Sequence, residues 1–270
     1  MFDEENETKK TLENRVVVVT GASSGIGEAT AKELARRGAA VALAARDDAK
    51  LEALAREIRS NGGYALPLPT DVTDETSVRA LIERTVAALG GVDVLVNNAG
   101  LGLSGRVSEL RADDLRYLYE VNVLGPLRCT QAALPHMGRG GRIINVSSVV
   151  GLRSIPKVGG YCSSKFALNG LSEALRVEVA SGGVTVTSVY PGTTRTAFRD
   201  NSRRTRDESR GWRPKGVPAE KVAEKIARAA ERGGRDVYVT LGDRAFTTAA
   251  TLAPGALDYA LRSWAKDRKE

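Results

Sequence analysis

At 270 residues, with 42% hydrophobic and 27% charged side chains, the chain has ordinary globular composition and enough length for one α/β domain with a full core. No run approaches the roughly eighteen unbroken apolar residues of a membrane span, and residues 1–10 are acidic and polar where a signal peptide is basic and then apolar, so a cytoplasmic location is expected. Forty Lys plus Arg against thirty-three Asp plus Glu give a formal charge of +7, but the excess sits between Arg195 and Lys215 and belongs to one loop.

Short β-branched runs alternate with helical patterns, which predicts βαβ units around a parallel sheet covered on both faces. The first strand is expected over 15–20, too uniformly apolar for a sheet with one wet face, followed by a helix over 25–37 that stops at Gly38. A strand over 40–45, a helix over 48–60 with Leu51, Leu54 and Ile58 on one side, and a strand over 65–68 follow. Next come a helix over 74–89 capped by Asp74 or Thr73, a strand over 93–97, a helix over 113–134 and a strand over 142–146. A long helix over 160–180, a strand over 184–189, a helix over 218–231 and a strand over 236–240 complete the alternation. The expected fold is a doubly wound, Rossmann-type parallel sheet of about seven strands with helices on both faces.

Three stretches break the rhythm. Residues 1–13 read as a flexible tail, so a single catalytic domain is expected over 14–243. Within it, 193–217 is arginine-rich, poor in apolar residues and too long for a plain connector, which suggests a substrate lid. Residues 244–270 read as a helical extension, with Leu257, Leu261 and Trp264 at helical spacing.

The sequence Thr20-Gly21-Ala22-Ser23-Ser24-Gly25-Ile26-Gly27 joins the first strand directly to the first helix. A strand that feeds a helix through glycines directs free N–H groups and the positive helix end at one spot, where a pyrophosphate is stabilised. Gly21 would permit the turn, Gly25 the close approach of phosphates, and Gly27 the packing of the helix on the sheet. Without the common G-x-G-x-x-G spacing, a ligand-free glycine turn stays an alternative on these residues alone.

Further along, Asn97-Asn98-Ala99-Gly100 follows the fourth strand and Asn122 lies in the next helix. Ser148 ends the fifth strand in Asn145-Val146-Ser147-Ser148, and Tyr161-Cys162-Ser163-Ser164-Lys165 opens the long helix. Pro191-Gly192-Thr193-Thr194-Arg195-Thr196 follows the sixth strand. In this order and spacing the motifs resemble those of the short-chain dehydrogenase/reductase family, over about residues 16–240. The resemblance implies a hydride transfer between a nicotinamide and an alcohol or carbonyl carbon. It also implies that Asp71 and Val72 flank the adenine, that Asn98, Ala99 and Gly100 line the ribose side, and that Pro191, Gly192, Thr194 and Thr196 lie at the carboxamide and diphosphate.

An acidic residue at the end of the second strand would bind the ribose 2′-hydroxyl of NAD. That place holds Ala45 followed by Arg46, whose guanidinium can grip a 2′-phosphate, so NADP(H) is expected in preference to NAD(H), with Ser23 or Ser24 as further phosphate contacts. The alternative is an Arg46 that is merely solvated or paired with Asp47 or Asp48.

Carbonyl reduction needs an acid within reach of the substrate oxygen. Tyr161 and Lys165 stand four apart on one helical face, where an ammonium favours the phenolate. Ser148 can donate to the developing alkoxide; Ser147 is the rival, expected to point to the opposite face. By resemblance Lys165 also holds the nicotinamide ribose, and Asn122 holds a water in a proton relay; a buried polar residue at a helix irregularity is the equal alternative. Catalytic residues are therefore expected at Asn122, Ser148, Tyr161 and Lys165, with Cys162 a bystander. With Cys129 and Cys162 the only cysteines and His136 the only histidine, no metal is expected.

A non-catalytic NADP sensor or interaction protein on the same fold is the competing function. Nucleic-acid binding by the arginine-rich loop is not expected, because only Phe198 and Trp212 supply aromatics there. The partners foreseen are a small alcohol or ketone, or an acyl thioester drawn by the loop's charge, and a second or third and fourth copy of the chain, since the family forms homodimers or homotetramers.

Overall fold

A computed structural model describes residues 11–198, 202–204 and 216–265. Seven parallel strands form one sheet: β1 (Val16–Thr20), β2 (Ala40–Ala45), β3 (Tyr64–Pro69), β4 (Val94–Asn97), β5 (Arg142–Val146), β6 (Thr185–Tyr190) and β7 (Asp236–Tyr238). Their order is β7-β6-β5-β4-β1-β2-β3, so the chain leaves β1 in one direction, returns, and continues on its other side from β4. The expected doubly wound sheet is thus the observed one. That reversal between β1 and β4 opens a crevice at the carboxyl ends of the strands, the usual ligand position in such sheets.

Side-chain alternation divides the core. Val17, Val19, Val41, Leu43 and Val96 face one layer, against Leu34 of α1 (Gly25–Arg36), Leu51 of α2 (Asp48–Ser60) and Ile226 of α7 (Ala219–Arg232). Val18, Ala42, Ala44 and Leu95 face the other, against Leu81 and Ile82 of α3 (Glu75–Leu89) and residues that follow β4. All five residues of β1 are buried, each valine contributing about 1.5–3 kcal/mol by leaving water, which is why an unbroken apolar run serves a central strand. Asp74 caps α3 through the Thr76 amide, 2.9 Å away.

The expected helix over 113–134 is present as an unbroken helical run over 112–136, but it is not α-helical throughout. It comprises α4 (Ala112–Tyr119), a π turn over Glu120–Leu124, α5 (Gly125–Ala133) and a 3-10 turn over Leu134–His136. The π turn carries Asn122 and precedes Gly125, where a side chain would meet Val72 Cγ2 at 2.9 Å. α6 (Gly159–Glu178) follows β5 and covers the same side of the sheet.

The tail differs from expectation as well. Two helices, α8 (Leu241–Leu252) and α9 (Pro254–Ala265), stand where one was foreseen, and a Thr240–Asp243 capping box starts the first. Leu12, counted within the flexible tail, is 1% exposed and its amide donates to the Arg37 carbonyl. In the arginine-rich stretch, Thr194–Arg195 pairs with Val217–Pro218, and Arg203–Arg204 pairs with Leu103–Ser104. Residues 1–10 and, within the arginine-rich stretch, Arg199, Arg206, Arg210, Trp212 and Arg213 lie outside the described residues. Cys129 and Cys162 are free and fully buried, and His136 is exposed at a helix end. No helix among the described residues is long and apolar enough to cross a membrane.

Candidate active site

The glycine turn is built from both sides of the crevice. Gly21 (φ 67°) and Gly25 (φ 58°) take the left-handed conformation that side chains rarely adopt. At Gly27 a Cβ would lie 2.1 Å from the Gly21 carbonyl oxygen and 2.5 Å from Asn98 Nδ2, so this glycine is required by the turn and the β4 loop as much as by helix-on-sheet packing. Asn98 donates through Nδ2 to the Thr20 carbonyl at 2.9 Å, while the Asn98 and Ala99 amides donate to the Thr20 hydroxyl at 3.0 and 3.1 Å. Thr20 therefore ties the two loops together. Sequence reasoning passed over it, although a hydroxyl at the inner end of an all-valine strand was the available signal.

This cradle fits a dinucleotide's pyrophosphate. Ser24 starts α1 without bonding any amide through its side chain, which leaves the first-turn N–H groups of α1 free of a hydroxyl cap; Ser24 is exposed, and Ser23 and Ile26 are half-buried beside it. Thr196 closes the opposite wall: its Cγ2 stands 3.1 Å from where a Gly25 Cβ would be. Thr194 donates to the Gly192 carbonyl, and a side chain at Gly192 would collide with the Asp243 carboxylate. Pro191 contributes its carbonyl, which accepts from the Ser148 hydroxyl at 3.2 Å and the Val149 amide at 3.1 Å.

Beyond β3, Asp71 turns its carboxylate back onto the Thr73 amide and hydroxyl, and Val72 is packed against the start of α5. Arg46 is exposed just past β2. Asp47 does not pair with it; that carboxylate caps α2 and pairs with Lys50. Arg46 instead donates to the Tyr117 hydroxyl at 3.2 Å.

Tyr161, in the first turn of α6, stands beside Ser148 at the end of β5, near enough for the serine hydroxyl to act on the phenol. Lys165, one turn on, is 4% exposed and lies 5.8 Å from the Tyr161 ring centroid, donating to the Val146 carbonyl at 2.8 Å. Its Nζ is also 3.8 Å from the point a Gly100 Cβ would occupy, so the lysine reaches the loop after β4. Phe198 packs on Tyr161 with ring centroids 5.6 Å apart.

The electrostatics differ from the expectation that the ammonium would lower the tyrosine. Burial pushes the Tyr161 phenol above its ordinary value, and only the neighbouring Ser148 hydroxyl acts downward. Burial also lowers Lys165 to about 8, because the ammonium has no carboxylate to compensate it.

Asn122 is wholly engaged by its side chain. Oδ1 accepts from the Leu101 amide at 2.8 Å, and Nδ2 donates to the Leu101 carbonyl at 2.9 Å and to the Ser164 hydroxyl at 3.0 Å. Ser164 in turn donates to the Tyr161 carbonyl, which links the π turn to the start of α6. The carboxamide thus ties the loop after β4 to α6, with both of its hydrogens engaged. Ser147, the rival of Ser148, has a buried hydroxyl without a protein partner, directed toward Gly151.

Residues 15–207 match the family model for short chain dehydrogenases. The chain is 35% identical to the uncharacterized oxidoreductase YxnA of Bacillus subtilis over 255 residues, covering 92% of this chain and 72% of that one. Among solved structures, a short-chain dehydrogenase/reductase from Burkholderia phymatum in complex with NAD superposes with a TM-score of 0.81 at 28% identity, covering 92% of this chain and 96% of that one. A short chain dehydrogenase from Burkholderia cenocepacia in complex with NADP gives a TM-score of 0.77 at 32% identity, covering 87% and 99%.

Proposed function

The chain belongs to the short-chain dehydrogenase/reductase family and is an oxidoreductase, and on that premise we propose that it reduces a carbonyl, or oxidises the corresponding alcohol, with NADP(H). The observation that carries this reading is Tyr161 set beside Ser148 with Lys165 one turn away, its Nζ 5.8 Å from the phenol ring, next to a glycine cradle that fits a pyrophosphate. When bound, the nicotinamide supplies or accepts the hydride.

Gly21, Gly25, Ile26 and Gly27 would hold the pyrophosphate with backbone N–H groups, and Thr194 and Thr196 would close over it. Asp71, Val72, Asn98, Ala99 and Gly100 would line the adenosine side. Arg46 has no ion-pair partner among the described residues, which leaves its charge for a 2′-phosphate. The Burkholderia cenocepacia relative binds NADP, whereas the Burkholderia phymatum one binds NAD.

A phenol whose proton is held tightly by burial is fully protonated at neutral pH, which suits Tyr161 to donate to the oxygen of a reacting carbonyl. Ser148, whose hydroxyl donates to the Pro191 carbonyl, would turn that hydrogen to the same substrate oxygen. Lys165 would return a proton to the phenol or hold the nicotinamide ribose. Phe198 makes the space beside Tyr161 apolar, in keeping with a ketone, aldehyde or acyl thioester substrate.

The test is NADPH consumption over a panel of aldehydes, ketones and 3-oxoacyl thioesters, run beside fluorescence titration of NADPH and NADH. Turnover with NADPH and its loss in Tyr161→Phe is expected. Tight NADPH binding with no turnover on any substrate would favour a non-catalytic sensor, and an equal or stronger preference for NADH would overturn the choice of cofactor.

A further inference from the structure

Arg46 and Arg203 are 157 positions apart, yet both converge on Tyr117 of α4. Arg46 Nη1 donates to the tyrosine hydroxyl at 3.2 Å. The Arg203 guanidinium stacks over the ring at 4.3 Å from its centroid, and is itself held by Asp114 at 2.8 Å, one turn before the tyrosine. Arg203 is further fixed through its backbone, since its amide donates to the Gly102 carbonyl at 3.0 Å.

The sheet order gives this cluster a place. β2 and β4 flank β1, so a bond from the residue after β2 to the helix after β4 runs across the carboxyl end of β1, where the glycine turn begins. A free arginine at that exposed site would lose considerable side-chain entropy on gripping a ligand. One whose guanidinium is already oriented by a fixed phenol loses less. The two arginines are not electrically equivalent: Asp114 neutralises Arg203, whereas Arg46 has no carboxylate among the described residues.

We propose that Tyr117 is a specificity-determining, positioning residue: its hydroxyl orients Arg46 toward the 2′-phosphate of the cofactor, and the Arg203–Asp114 pair holds its ring for that task. The inference rests on the reading of Arg46 as a 2′-phosphate ligand. It adds that selection between the two nicotinamide dinucleotides depends on a residue of α4 and on the strand at Arg203–Arg204, which pairs with Leu103–Ser104.

Calorimetric titration with adenosine 2′,5′-bisphosphate and with 5′-AMP separates the possibilities without any turnover. Tyr117→Phe keeps the ring and the Arg203 stack but removes the acceptor oxygen. It is expected to weaken the 2′,5′-bisphosphate about fivefold, the scale of one exposed hydrogen bond to a charge, and to leave 5′-AMP unchanged. Arg203→Ala should act in the same direction, and neither change should matter once Arg46→Ala is present. Unaltered bisphosphate affinity in Tyr117→Phe, with a clear loss in Arg46→Ala, would overturn the role of Tyr117 and leave the cofactor reading intact. Equal weakening of both ligands would also overturn it, as general damage to the groove. If Arg46→Ala itself does not discriminate the ligands, the cofactor reading fails and takes this inference with it.

Discussion

Lys165 Nζ donates to the Val146 carbonyl at 2.8 Å, so the amine of α6 is bonded to the last residue of β5. This bond holds a long side chain inside the protein without a neutralising carboxylate, and it places the amine between the tyrosine and the loop after β4. The titration of the lysine follows from that position.

Folded Lys165 loses its proton at about 8, against 10.5 for an exposed lysine. Below 8 both folded and unfolded chains carry the proton, and the folded chain bears the full cost of a buried ammonium. As pH rises through 8 the folded chain sheds it first, so stability from this group increases, by about 2–3 kcal/mol on approaching pH 10. Above 10 the unfolded chain ionises its tyrosines while Tyr161 stays protonated, which opposes the gain. Thermal melts from pH 7 to 9.5 should show wild type gaining on Lys165→Met; parallel curves would refute the depressed lysine.

Tyr161→Phe and Ser148→Ala should each lower kcat by about 10²–10⁴-fold, the range of a lost proton donor or oxyanion donor, while NADPH titrations stay near wild type. Ser147→Ala is the control. Its hydroxyl is buried without a protein partner, so removal should leave kcat unchanged and the melting temperature equal or higher. A Ser147 variant as impaired as the Ser148 one would reverse their assignment.

Gly27→Ala forces a methyl to within 2.1 Å of the Gly21 carbonyl oxygen, and the neighbour is backbone that cannot swing aside. A loss of about 1–3 kcal/mol or more is expected, together with weaker binding of either dinucleotide. Gly170 of α6 offers the contrast, since a Cβ there meets nothing within 4 Å. Gly170→Ala should stabilise the chain by about 1 kcal/mol through helix propensity alone. Denaturant midpoints of the two variants moving in the same direction would contradict this picture.

Asn122→Ala strands the Leu101 amide and carbonyl and removes a partner of Ser164. The expected destabilisation is about 1–3 kcal/mol, from leaving half-buried backbone groups and the Ser164 hydroxyl without their partner. Catalysis should fall as well, because Ser164 links the π turn to the Tyr161 carbonyl. Hydrogen exchange at the Leu101 amide reads the contact directly; unchanged protection in the variant would rule out the latch.

Seven strands and most helices were legible from the order of residues, because a strand buried on both faces must be uniformly apolar and an amphipathic helix must repeat with its own period. The glycine turn, and Tyr161 four residues before Lys165, were legible for a related reason: turn geometry and helical spacing are local, and the residues that satisfy them stand close in the chain, whereas Ser148 was singled out by the resemblance to the family. Tertiary structure alone decided the rest. The bond between the Asn122 side chain and the Leu101 amide spans 21 residues, and the Arg46–Tyr117 bond spans 71. The upward shift of Tyr161 likewise depends on how completely distant segments exclude water from it, and desolvation is a property of the packed surroundings that no spacing of neighbours along the chain encodes.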